Sequence, residues 1–197
     1  MIVIIHRVNT SNELKDIPKK YGVEVDIRAY GDKLILNHEP HKTGEELEEY
    51  LKHYNHRFII FNIKESGTEN EVLDLIKKYK IKDYFFLDVE YSFVYKAMAN
   101  KLTKNIALRV SEIEPINMAL KNSGRFNWIW LDIFSKIPIN KKEYVKLKKA
   151  GYKICLPCPS SLNRPKDALK YKRLLAKKGI KIDAVMTEKE FAEEWEN

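Results

Sequence analysis

Cysteine is scarce in this chain: two in 197 residues, Cys155 and Cys158. Two neighbouring thiols make no disulfide framework, so stability must come from a packed core and a reducing compartment is expected. The Cys155-Leu-Pro-Cys158 spacing is that of a redox or zinc half-site. It ends a β-rich run instead of opening a helix, and no second Cys/His pair accompanies it, so both are read as ordinary thiols near a barrel mouth. Glycine is sparse too, at seven. The turn after the first β-rich run reads His6-Arg7-Val8-Asn9, without the glycines of a dinucleotide-binding turn, and no Walker sequence occurs. Long apolar runs are also missing. The opening Met1-Ile-Val-Ile-Ile gives way to His6-Arg7, too short for a signal peptide and far short of the ~20 residues that span a bilayer. A cytoplasmic protein with no membrane span is the expectation.

Positive charge is in excess, with 36 Lys+Arg against 28 Asp+Glu and a formal net charge of +8. Basic surfaces attract nucleic acid, anionic membranes or phosphorylated small molecules. The lysines are scattered over every helical stretch with no long Lys/Arg run, which is the pattern of a solvated surface. A nucleic-acid partner is therefore not expected.

The main regularity is alternation. Apolar β-rich runs at residues 2–6, 23–28, 58–64, 84–88, 105–110, 127–134, 153–156 and 182–186 are separated by helical stretches, clearest at 44–54, 69–78, 141–149, 165–178 and 188–195. Val72, Leu75 and Ile76 recur at helical spacing among Glu and Lys, and Thr43 is expected to cap the helix beginning at Gly44. Parallel neighbours need a crossover, so the pattern predicts an α/β fold with a parallel sheet covered on its faces. Eight units predict a compact (β/α)8 TIM barrel occupying residues 1–197 as one domain, with an open doubly wound sheet as the alternative. One connection breaks the alternation. Gly31-Asp32 reads as a hairpin turn that folds a short antiparallel strand back beside strand two and brings His38 to the barrel's top.

Strand two reads Val23-Glu24-Val25-Asp26-Ile27-Arg28, and alternation puts the three charged residues on one face. In a barrel that face points inward, where charges need partners. One outcome is a purely structural Glu–Arg–Asp network. The other is a cation site, because two carboxylates near a strand end offer hard oxygen ligands to Mg²⁺ or Ca²⁺ where barrel active sites form. Other strands also end in polar residues: His6-Arg7, Asn62 with Lys64, Asp88, Arg109 and Asp132. Arg7, Arg28, Lys64 and Arg109 beside a divalent cation suit an anionic phosphate ester. His6 and His38 are the candidate general acid and base, since imidazoles titrate near neutral pH. His41, His53 and His56 have no metal-binding spacing and are read as surface residues. Trp128 and Trp130 lie on the face of Asp132 and are read as core, with pocket lining the weaker alternative.

Taken in order, these residues resemble the glycerophosphodiester phosphodiesterases. His6-Arg7, Glu24-Val25-Asp26 and a hairpin ending Asn37-His38-Glu39 are similar to that family's His-Arg-Gly, Glu-x-Asp and His-Asp. Asn62-Ile63-Lys64 is similar to its Glu-Ile-Lys, and residues 182–188 to its closing strand. The resemblance runs along nearly the whole chain, with most of its specificity in the first 65 residues. It implies a (β/α)8 barrel and a phosphodiester hydrolase acting on a small-molecule substrate. It makes His6 and His38 the catalytic pair, Glu24, Asp26 and Asn62 the ligands of a divalent cation, and Arg7 and Lys64 phosphate contacts. It further implies that a hydroxyl next to the diester attacks phosphorus, one histidine helping it and the other protonating the departing alkoxide, with a cyclic phosphate between steps. The chain departs from the family at Val8, where a glycine is usual, at Glu39, where Asp is usual, and at Asn62, where a third carboxylate is usual. The insertion many members carry after the hairpin is absent. These departures mark a divergent, minimal relative. Asn62 in particular motivates the alternative of a catalytically altered barrel that binds a phosphorylated ligand or a partner. The sequence carries no signal for oligomeric state.

Overall fold

A computed structural model describes residues 1–100 and 102–196. Its strands are β1 (Ile2–Ile5), β2 (Gly22–Tyr30), β3 (Lys33–Leu36), β4 (Glu45–Glu46), β5 (Phe58–Ile63), β6 (Tyr84–Leu87), β7 (Ala107–Val110), β8 (Trp128–Leu131), β9 (Lys153–Pro157) and β10 (Ala184–Thr187). The helices are α1 (Ser11–Lys15), α2 (Leu47–His53), α3 (Glu69–Lys78), α4 (Tyr91–Ala99), α5 (Asn117–Lys121), α6 (Lys141–Lys149), α7 (Ala168–Lys177) and α8 (Ala192–Glu196). Eight strands run parallel in the order β6-β5-β2-β1-β10-β9-β8-β7, giving one curled mixed α/β sheet. Its two outer strands, β6 and β7, meet through the single parallel bridge Phe86–Ile106 instead of a ladder.

The curl separates two apolar regions. Val23, Val25 and Ile27 of β2 pack outward with helix residues such as Leu14, Tyr50, Val72 and Leu147. Ile4, Ile60, Phe85, Trp128, Trp130 and Met186 form a second cluster built from strand residues alone, which is what an alternating strand places on a sheet's concave face. Gly22 lies at the base of that face. A Cβ there would come within 2.9 Å of the Phe58 carbonyl oxygen and 3.1 Å of Ile4, so only glycine lets β2 approach β5 this closely.

The hairpin follows the sequence reading. β3 pairs antiparallel with the upper half of β2, from Ile27–Leu36 to Tyr30–Lys33, around a turn in which Gly31 adopts φ +64°. Several expectations need correction. The helix expected from residue 44 starts at Leu47, because residues 45–46 first add to the edge of β3 as β4. Thr43 caps nothing: Glu46 holds the N-cap position without a side-chain hydrogen bond, and the Thr43 carbonyl accepts from Asn37. Residues 103–105 form a short 3-10 turn, and β8 ends at Leu131, leaving Phe134 exposed. The helices expected at 165–178 and 188–195 each begin with a 3-10 turn and become α-helical at Ala168 and Ala192.

Candidate active site

The site grows from β2. Glu24 and Asp26 point to the concave face and are fully buried, so each carboxylate oxygen must find a donor inside the protein. Glu24 Oε2 accepts the Arg7 backbone N–H at 2.8 Å, and Oε1 accepts Asn62 Nδ2–H at 2.8 Å. Asp26 Oδ2 accepts from Asn9 Nδ2 at 3.0 Å, while Oδ1 faces Asn62 Nδ2 at 3.3 Å and Lys64 Nζ at 3.4 Å. The Arg7 amide reaches Glu24 because Arg7 takes φ +53°, a left-handed conformation costly for a side chain that is not glycine. Burial, and then the neighbouring Asp26 charge, push the Glu24 carboxyl above its usual range, while His6, Asn62 and Arg7 pull the other way.

Parallel register places Asp26 directly opposite Asn62. The Asn62 amide nitrogen thus bridges both carboxylates, whereas its Oδ1 is buried without a partner. Two carboxylates and an amide oxygen are a hard-oxygen set of the kind Mg²⁺ and Ca²⁺ prefer, so Glu24, Asp26 and Asn62 are the residues that could hold such a cation. Among the described residues no group of three or more His, Cys, Asp or Glu side chains is arranged to hold a metal ion, and the third position of this set is an amide.

His6 follows the end of β1, and its Nδ1 lies 2.8 Å from Glu188 Oε1, just past β10. Its side chain is 12% exposed, so the ring is held at the mouth instead of lying free in solvent. His38 sits where β3 ends, with Nδ1 2.8 Å from Glu39 Oε1. The Arg28 guanidinium donates to the His38 carbonyl at 2.9 and 3.2 Å and to the Lys64 carbonyl at 3.3 Å, tying the hairpin end to the end of β5. His38 holds the Glu39 carboxyl below its usual range, with Arg7 and Arg28 adding to the effect. The opposite wall carries Arg109, ion-paired with Asp88 and Asp132 and 4.0 Å from Glu114. Lys64 joins the two walls, since its Nζ is also 4.0 Å from Asp88. Burial chiefly raises the Asp132 carboxyl, against the pull of Arg109.

The Arg7 backbone, Glu24, Asp26, Asn62 and Lys64 therefore share one contact network, with Arg28 and His38 bonded beside it and Arg109 joined through Asp88; His6 bonds to Glu188 and acts on Glu24 through its charge. Asn9 and Glu188 were missed as partners by sequence reasoning. In the sequence Asp88 and Asp132 stand out only as strand ends. The signal for Glu188 was its place immediately after the last strand; Asn9 offered only its position in the first loop. His41 and His53 are exposed as expected, but His56 is half-buried with Nε2 on the Ile17 carbonyl. Cys155 lies deep in the strand-only cluster and not at the mouth, and burial pushes its thiol far above the reactive range. Trp128 and Trp130 belong to the same cluster and form core beneath the site.

No protein-family model matches the chain, and no curated protein sequence matches it significantly. Solved structures do. A glycerophosphodiester phosphodiesterase from Agrobacterium tumefaciens str. C58 superposes with a TM-score of 0.66 at 13% identity, covering 95% of this chain and 96% of that one. The fold is shared with a phosphodiesterase. A glycerophosphoryl diester phosphodiesterase from Parabacteroides distasonis ATCC 8503 superposes with a TM-score of 0.65, also at 13% identity, covering 94% of this chain and 82% of that one. Among the described residues no helix is long and apolar enough to cross a membrane.

Proposed function

We propose that this chain is a metal-dependent phosphodiester hydrolase, a divergent relative of the glycerophosphodiester phosphodiesterases, working at the C-terminal rim of a closed eight-stranded barrel whose seam is the β6–β7 bridge. The observation that carries this reading is a buried carboxylate pair, Glu24 and Asp26, sharing one rim with a carboxylate-anchored histidine, His6, on a fold shared with phosphodiesterases. Glu24, Asp26 and Asn62 would hold Mg²⁺ or Ca²⁺. When bound, the cation would neutralise charge on a phosphate oxygen.

The chain's own residues do the rest. Lys64 and Arg7 bind the phosphate, Lys64 being already inside the charged cleft. Arg109 faces the substrate from the opposite wall. Arg28 spends its donors on the His38 and Lys64 carbonyls and so serves the substrate by positioning the hairpin. With Nδ1 of His6 and of His38 engaged by Glu188 and Glu39, each ring offers Nε2 for proton transfer. One Nε2 accepts the proton of a substrate hydroxyl next to the diester as its oxygen attacks phosphorus. The other donates a proton to the departing alkoxide oxygen as the P–O bond breaks, leaving a cyclic phosphate that water opens by the reverse proton movements. The substrate is a small phosphodiester; the dispersed lysines give no track for a nucleic acid.

A second reading has one observation in its favour: the carboxylates are already engaged, by hydrogen bonds from Asn62 and by the Lys64 charge beside Asp26. It makes the chain a barrel that binds a phosphorylated ligand or partner without turnover. Assays of glycerophosphodiesters with Mg²⁺, with Ca²⁺ and with EDTA separate the two. Hydrolysis that needs a divalent cation and disappears in Asp26→Asn supports the hydrolase. Calorimetric binding of the diester with no product under any condition supports the binder and contradicts the hydrolase.

A further inference from the structure

Asn62 is 7% exposed and has a split personality: its nitrogen makes two bonds to carboxylates, and its buried oxygen makes none. An amide carries donor and acceptor ends of nearly equal size, and turning it over exchanges them without other movement. In the absence of a cation the observed orientation is the better one. Turning the oxygen inward would forfeit both N–H bonds and aim a third lone-pair atom at two carboxylates. A hard divalent cation between Glu24 and Asp26 reverses the electrostatic preference, at the cost of the two N–H bonds. The N–H group would then point its partial positive charge at the cation, whereas the oxygen would be a ligand.

We propose that Asn62 is a rotating latch on the cation cleft. With no cation bound, its amide nitrogen takes the place of the positive charge between Glu24 and Asp26; on binding Mg²⁺ or Ca²⁺, the side chain turns over and presents Oδ1 as third ligand. Lys64, 3.4 Å from Asp26, is the second stand-in charge and is released toward the mouth by the same event. The latch makes cation affinity weaker than in a three-carboxylate cleft, for two separable reasons: the third ligand is uncharged, and two hydrogen bonds must break first. It also keeps two buried carboxylates paired in the cation-free protein. The inference rests on the cation-site reading of Glu24 and Asp26 given above, and not on hydrolysis.

The test uses the ¹⁵N-labelled full chain, titrated with Mg²⁺ alone and in a separate arm with Ca²⁺ alone, with no substrate present. The side-chain amide signals of Asn62 are identified by their loss in Asn62→Asp and by direct assignment of the wild type, so the titration stands even if that variant fails to fold. The expected result is that saturating cation moves the Asn62 signals and removes their protection from solvent exchange. By calorimetry, Asn62→Asp is expected to bind the same cation at least about tenfold more tightly. Cation binding that leaves the Asn62 signals unmoved overturns the latch, as does failure of the wild type to bind either cation, or a folded Asn62→Asp that binds no more tightly. A chain that passes this test yet hydrolyses no phosphodiester keeps the latch and loses the proposed activity.

Discussion

At the scale of the residue, the oxygens of Glu24 and Asp26 draw on Arg7, Asn9, Asn62 and Lys64 in place of water. That arrangement tolerates the carboxylate pair without making it comfortable. The folded protein holds the Glu24 proton more tightly than the unfolded chain, where its pKa is near 4.5. A carboxyl raised in this way contributes stability that is fully present below about pH 4.5 and lost as pH rises through the folded value. Ionising Glu24 inside the fold is therefore a cost that grows as pH rises. Glu24→Gln should gain stability over wild type between pH 4 and pH 7, by on the order of 1–3 kcal/mol, because it cannot ionise in the buried cleft. The gain is followed by thermal unfolding at the two pH values. A variant that gains nothing on wild type between them would contradict this reading, whereas loss of hydrolysis alongside the gain is expected of a site that trades stability for function.

Elements carried their information unevenly. β2 and the hairpin were readable because strict alternation puts charge on one face and aliphatics on the other, and Gly31-Asp32 sits between two such runs. α4 was not readable. Its sequence is apolar nearly all round, with Tyr91 73% and Tyr95 79% exposed, so no polar face marks the helical period. The start of α2 was misplaced because Gly44 presses against the Leu36 backbone and draws residues 45–46 into β4, a tertiary effect that local capping rules cannot foresee. Packing at the foot of β2 gives a test at this scale. Gly22→Ala should cost about 1–3 kcal/mol, lowering Tm by several degrees, because the added methyl meets the Phe58 backbone and not a side chain that can swing away. An unchanged Tm would mean that β2 and β5 are less tightly apposed than their ladder indicates.

For the whole molecule, eight apolar runs predict a closed (β/α)8 barrel; the structure bears out the parallel α/β part of that expectation as a curled eight-stranded sheet, and the solved phosphodiesterase structures share the fold. The seam was not visible in the sequence, since β6 and β7 read as well as any other strands yet meet at one bridge. Fewer ladder bonds there predict faster amide hydrogen exchange along the facing edges of β6 and β7 than between β1 and β10; uniform protection around the sheet would argue for a tighter closure than this one. Of the candidate site, the residues on strand ends could be found from spacing. Of their partners, Glu188 is signalled only by its place just after the last strand, and it meets His6 because β10 pairs with β1; Asn9 is brought in by a loop conformation that no local pattern marks. The proposed hydrolysis rests on the two histidines. Hydrolysis of a glycerophosphodiester should be measured with divalent cation for wild type, His6→Ala, His38→Ala and the double variant. Each single substitution should lower kcat by about 10²–10⁴-fold, and the double should be little worse than either, because acid and base serve one step. Wild-type hydrolysis retained in both single variants would contradict the account.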